Sequence, residues 1–333
     1  MRAAALASLF APAAALVLAC SGASNHSGFD TAGDGGSSGG SSGGLGSSGS
    51  GGSSGGLGSS GGSGSSSGAN GCSGQAADFV YVLSAENDLY RFAPAAKQFT
   101  KIGPLGCQTG GMQPNSMAVD RNAVAYVNYV QSDPLGGQDT AGAIYQVSTS
   151  NAGCMGKVLD LPGGWYRVGM GYSSNGTGST AETLYVAATG NGMGGQSQGL
   201  GLVDFGKKTV GPIGPFTGSL SGQNAELTGT GDGRLYGFFT TNPVEVAQIT
   251  KTSGATQTPV PMTGVQTPND WAFSFWGGHF YLYTSQGQGV GNGSDVTDYD
   301  PSTGNVDTTY MTGIGFDIVG AGVSTCAPVM PPQ

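Results

Sequence analysis

Five short apolar runs, each built around a tyrosine, recur along this chain: FVYVL at Tyr81, VAYV at Tyr126, TLYVAA at Tyr185, RLYGFF at Tyr236 and HFYLYT at Tyr281. Their spacings are 45, 59, 51 and 45 residues. Behind each lies a second short apolar run that ends in a polar turn: LYRFAPAAKQF, IYQVSTSNAG, GLVDFGKKTV, VAQITKTSGAT and VTDYDPSTGNV. The apolar residue before the turn is Phe92, Val147, Val203, Ile249 or Tyr299. A repeat of this length made of strand-sized runs marks an array of small sheets, each unable to bury its faces alone.

Ahead of four of the tyrosine runs stands one more strand-like segment: SMAV (116–119), VGMGY (168–172), ELTGT (226–230) and WAFSF (271–275). The first tyrosine run has none. The chain supplies DIVGAGVST (317–325) at its end, with no tyrosine run after it. One strand missing at the start and one left over at the end predict ring closure. The fold class expected is all-β, a five-bladed β-propeller of roughly 50 residues per blade, with the C-terminal strand innermost in the first blade. A β-sandwich is the alternative. Innermost strands crowd a narrow axis, and Gly169, Gly171, Gly229, Gly320 and Gly322 supply the small residues needed there.

The ring accounts for residues 75–333 only. Residues 1–19, MRAAALASLFAPAAALVLA, read as a signal peptide with a basic start at Arg2 and an apolar body. They close on Val17-Leu18-Ala19-Cys20, a lipobox-like tetrad that makes Cys20 the expected lipidation site. Residues 20–74 are almost all Gly and Ser and cannot bury apolar surface, so they read as a disordered tether. Such a coil of ~54 residues spans roughly 40 Å. The expected address is the cell envelope, with Ser21 favouring the outer membrane and the N-terminal lipid making the membrane contact.

Two of the 20 acidic side chains (Asp30, Asp34) and one of the 11 basic ones (Arg2) precede residue 75. That leaves 18 acidic and 10 basic groups in the ring, with no basic patch, which excludes nucleic acid as a partner. With Cys20 assigned, Cys72, Cys107, Cys154 and Cys326 remain, none at metal-ligand spacing, and an exported domain implies two disulfides. Cys326 follows the inner strand of blade one and Cys72 precedes its second strand, so a Cys72–Cys326 bond would lock the ring. Cys107–Cys154 follows by elimination, although simple topology puts the two residues on opposite faces.

Three segments, AELTGTGDGRLYGFF (225–239), FSFWGGHFYLYT (273–284) and VGAGVSTCAP (319–328), resemble a family of uncharacterised bacterial lipoproteins with propeller-like domains. The resemblance implies the architecture and the address. It carries no activity.

Motifs with the look of chemistry reduce to structure. DYDPSTGNVD (298–307) has the look of a calcium loop, but Thr303 and Thr309 stand where such a loop needs glycine and glutamate. It reads as a hairpin turn set by Pro301 and Gly304. G-x-S-x-G at Gly51, Ser53 and Gly55 is a product of the Gly/Ser repeat. G-x-G-x-x-G at Gly190, Gly192 and Gly195 joins two strands, with no helix to receive a phosphate. The histidines are His26 and His279, so neither a histidine triad nor a multi-histidine metal centre can be assembled. No cofactor and no metal are implied.

The candidate site is the mouth of the ring. Glu226, Asp270 and Asp317 stand at the leading ends of inner strands in consecutive blades, Arg167 at that of another, and Trp165, Tyr166 and Trp271 near the same rim. Long loops at 131–143, 190–199 and 285–295 should emerge on that face. The expected function is non-catalytic recognition of a glycan or an envelope protein. A glycoside hydrolase using Glu226, Asp270 and Asp317 is the alternative, since paired carboxylates ~5–9 Å apart cut glycosidic bonds. A structural partner in an envelope complex is the third reading.

Overall fold

The structure, a computed structural model, describes residue 72 and residues 76–133, 137–190, 196–287 and 291–331. The signal segment, Cys20 and the tether up to Gly71 lie outside these residues, as do the G-x-S-x-G stretch and His26.

Among the described residues, twenty strands form five four-stranded antiparallel sheets. Blade one holds β1 (Val80–Ser84), β2 (Asp88–Ala93) and β3 (Gln98–Pro104). Blade two is β4 (Gln113–Val119), β5 (Val124–Ser132), β6 (Asp139–Ser148) and β7 (Cys154–Asp160). Blade three is β8 (Val168–Ser174), β9 (Glu182–Ala188), β10 (Gly199–Asp204) and β11 (Thr209–Gly214). Blade four is β12 (Ala225–Gly229), β13 (Leu235–Phe239), β14 (Glu245–Ile249) and β15 (Thr256–Pro261). Blade five is β16 (Asp270–Trp276), β17 (His279–Ser285), β18 (Asp295–Asp300) and β19 (Asn305–Met311). The last strand, β20 (Ile318–Gly322), pairs with β1 and completes blade one from the inside. The protein is therefore a five-bladed β-propeller closed by its C-terminal strand.

The core is divided into five wedges, one between each pair of neighbouring blades. Side chains alternate across a strand, and the second strand of each blade is buried on both faces, which is why it reads as a continuous apolar run. The repeat tyrosines Tyr81, Tyr126, Tyr185, Tyr236 and Tyr281 each fill the wedge toward the following blade. On the third strands, Phe92, Val147, Val203, Ile249 and Tyr299 fill the wedge toward the preceding blade. The sequence repeat is thus the packing repeat of the interfaces.

Inner strands crowd the axis so closely that glycine is required. A Cβ on Gly169 would stand 2.1 Å from the Ala225 carbonyl oxygen, and one on Gly229 would stand 2.2 Å from that of Tyr172. Gly320 abuts the backbone of Ser116 and Met117 in the same way. The free edges of these strands are satisfied by neighbouring blades. The Met170 N–H donates to Ser116 Oγ, Phe275 N–H to Thr228 Oγ1 and Ile318 N–H to Ser294 Oγ.

Both disulfides have the expected partners, Cys72–Cys326 and Cys107–Cys154. The second joins residues that simple topology separates. Sheet twist accumulates toward the outer strands and lays the end of β3 against the β6–β7 turn, with Gly103 beside Ala152. The segment carrying Cys107 therefore begins next to Cys154. In the 298–307 stretch, both Asp300 carboxylate oxygens are taken by the turn itself, accepting from the Ser302 N–H, the Ser302 hydroxyl and the Thr303 hydroxyl. Gly304 is left-handed at φ 76°. Asp298 lies 2.9 Å from His279 Nδ1.

Candidate functional site

The leading ends of the five inner strands meet in one concavity of about 70 Å³. Every blade contributes: Asn115 from blade two, Arg167 from blade three, Glu226 from blade four, Asp270 and Trp271 from blade five, and Val319 from blade one. Four of the residues expected at the mouth, Arg167, Glu226, Asp270 and Trp271, are brought together in it.

Glu226 points across the axis. Gly169 of the intervening strand leaves the gap, and Ser116 Oγ in blade two donates to Glu226 Oε2 at 2.9 Å. The residue is 4% exposed. Burial pushes its carboxyl well above the usual carboxylate range, against the bonds from Ser116 and from the Met170 and Leu227 backbone. Asp270 is raised too, by burial first and then by the charge of Asp317. Asp317 is buried directly ahead of β20, and its Oδ1 has no hydrogen-bond partner among the described residues. It does not line the concavity itself.

Arg167 is a strut. Its Nε and Nη2 grip both oxygens of buried Asp139 at 2.9 and 3.0 Å, Nη2 also donates to Ser132 Oγ, and Nη1 donates to Asn115 Oδ1. A planar fork held bidentately is fixed in place. Asn115 continues the network, donating to Asn128 Oδ1 and the Val168 carbonyl. Asn115 was legible in principle, since it stands one residue ahead of SMAV at a leading end. Asp139 was not, because it lies in a long hairpin whose fold no local pattern sets.

Trp271 is half-buried at the rim, and its indole Nε1–H is buried without an acceptor among the described residues. The structure does not bring Trp165 or Tyr166 to the mouth. Trp165, 3% exposed, packs in the wedge between blades two and three, beneath Gly201, where a Cβ would stand 2.7 Å from its ring. Tyr166 packs on the same wedge, and its carbonyl accepts from Asn128 Nδ2. The described parts of the three long loops do reach the mouth face. Asp139 meets Arg167, the Gly190 N–H donates to Asn224 Oδ1, and the Asn269 side chain donates to the Gln286 carbonyl. Residues 134–136, 191–195 and 288–290 lie outside the described residues, and with them Gly192 and Gly195 of the glycine motif. Among the described residues, no group of three or more His, Cys, Asp or Glu side chains is placed to hold a metal ion.

The sequence matches no protein-family model. It matches no curated protein. Solved structures similar to it include a protein of unknown function from Bacteroides caccae, at 12% identity over 73% of this chain and 97% of that one, with a TM-score of 0.39. A gluconolactonase from Xanthomonas campestris is 13% identical over 62% of this chain and 68% of that one, with a TM-score of 0.38. A calcium-binding regucalcin from Agrobacterium tumefaciens is 13% identical over 63% of this chain and 66% of that one, also with a TM-score of 0.38.

Proposed function

We propose that this chain is an exported, lipid-anchored recognition module of the cell envelope, which binds its ligand without transforming it, on the face that carries the mouth. The observation that supports this most is Trp271. Trp271 lines the polar concavity beside Asp270, and its indole N–H is buried with no acceptor among the described residues, so a small turn of the ring would offer that donor to a ligand. The residue is part-exposed at the rim, so one side chain can offer both a hydrogen bond and a stacking face. The mouth is small, so it takes in one polar group of a larger molecule that continues over the surrounding loops.

A hydrolase reading draws on the elevated carboxyl of Glu226, which suits a general acid. Against it, that carboxyl is closed in and committed to Ser116.

The test is titration of the full chain against a panel of envelope and plant polysaccharides and envelope proteins, with Trp271→Ala in parallel. Saturable binding weakened about tenfold or more by Trp271→Ala, a loss of roughly 1.4 kcal/mol, is the expected result. Bound panel members should be recovered uncut. Unchanged affinity in Trp271→Ala contradicts the placement of the ligand at the mouth, and cleavage abolished by Glu226→Gln contradicts the non-catalytic reading.

A further inference from the structure

The wedge between blades four and five is apolar at depth and becomes polar toward the mouth face. Leu282 on β17, Tyr299 on β18 and Val306 on β19 pack into it against blade four. Two residues along each strand, on the same side of the sheet, stand Thr284, Thr297 and Thr308. There the wedge opens into a groove of about 540 Å³, walled on the blade-four side by Gly264, Val265 and Gln266. Thr297 is 2% exposed and lines the groove. Among the described residues, the hydroxyls of Thr284, Thr297 and Thr308 meet no hydrogen-bonding partner, whereas the buried Ser116 hydroxyl elsewhere in the ring is doubly bonded. Thr297 is buried except where it meets the groove, Thr284 and Thr308 are part-exposed there, and hydroxyls without a protein partner along the wall of a groove are free to bond a ligand.

From this geometry we propose that the groove is a binding site for a short, uncharged oligosaccharide. Apart from Asp295, its polar side chains are hydroxyls and amides, which both donate and accept, as sugar hydroxyls do. Among the described residues no Lys, Arg or His lines it, so nothing there neutralises an anionic ligand in a chain of net charge −9. Its carboxylate, Asp295, already accepts the Gly313 N–H, so a cation finds little there. Val265 is its sole apolar side chain among the described lining residues, which leaves no pockets for the side chains of a peptide. The volume falls within the range of small-ligand sites. The groove reaches the mouth at Ser285, which lines the groove and stands opposite Asp270 of the mouth on the neighbouring strand, so a ligand lying in it runs toward Trp271. This site rests on the recognition reading above and gives it a ligand class.

The experiment titrates the full chain with neutral gluco-, xylo-, arabino- and galacto-oligosaccharides two to six units long, with uronic-acid oligomers, and with short peptides. Thr297→Val removes one hydroxyl at constant shape, and Thr308→Trp fills the groove from its exposed edge. The expected result is binding of a neutral oligosaccharide, weakened about three- to tenfold by Thr297→Val and lost in Thr308→Trp. Neutral-sugar binding that neither substitution affects overturns the groove. If Trp271→Ala then still weakens that binding, the mouth reading stands alone. Binding of the acidic oligomers or the peptides only overturns the ligand class and leaves recognition intact. Binding of nothing in any arm overturns both.

Discussion

Unfolding the Cys72→Ser/Cys326→Ser protein in urea will show a midpoint far below that of the wild type. This bond joins residues 254 apart in sequence and closes almost the whole ring into one covalent loop. Loop-closure entropy for that separation is roughly 5 kcal/mol, against roughly 4 for the 47-residue separation of Cys107 and Cys154. The larger consequence is local. β20 is held by its pairing with β1 and by packing against the inner strands of blades two and five. Without the bond, nothing covalent prevents the C-terminal strand from leaving, and its departure exposes the β1 edge and the wedge residues Ile318 and Ala321. The double variant should therefore also be cut early by protease near residue 317, whereas Cys107→Ser/Cys154→Ser should not. Equal urea midpoints for wild type and the Cys72/Cys326 variant would mean that pairing alone closes the ring.

Gly169→Val should cost about 3 kcal/mol or more, among the largest effects of any single substitution in the inner ring. The atoms a Cβ would strike, the Ala225 carbonyl oxygen at 2.1 Å and the Glu226 Cα at 2.8 Å, belong to backbone and cannot rotate away. β8 and β12 must separate, which also displaces Glu226 and widens the mouth. Gly211→Val on the outer strand β11 is the control, since its nearest neighbours are Leu202 side-chain atoms at 3.7 and 3.8 Å. Comparable denaturant midpoints for the two variants would show that the inner strands are less tightly pressed than described.

The repeat was legible because packing wrote it. Each tyrosine must fill a wedge of fixed shape, so it recurs wherever a second strand recurs. The ring closure was legible because strand inventory is a counting argument, and the closure in turn placed Cys72 beside Cys326. The mouth was legible in part for the same reason. Once the inner strands are known, their leading residues share a rim, and Arg167, Glu226, Asp270 and Trp271 follow. Trp165 shows where such reasoning stops. It precedes β8 by three residues, close enough in sequence to suggest the rim, but it turns under Gly201, two strands away, and no local signal announces that vacancy. Asp139 was hidden for the converse reason, since its partner Arg167 is 28 residues distant and reached through a hairpin. The three threonines of the blade-five groove read as ordinary strand residues, because alternation gives the side they face and not whether that side is filled.

The most direct measurement is hydrogen–deuterium exchange of the full chain with and without a ligand drawn from the titrations. The account predicts protection at Asn269–Trp271 and Thr284–Gln286, on the mouth face and along blade five. Protection confined to the opposite face, around Arg121, Glu182 and Thr325, where the C-terminal strand ends and the ring is latched, would contradict it.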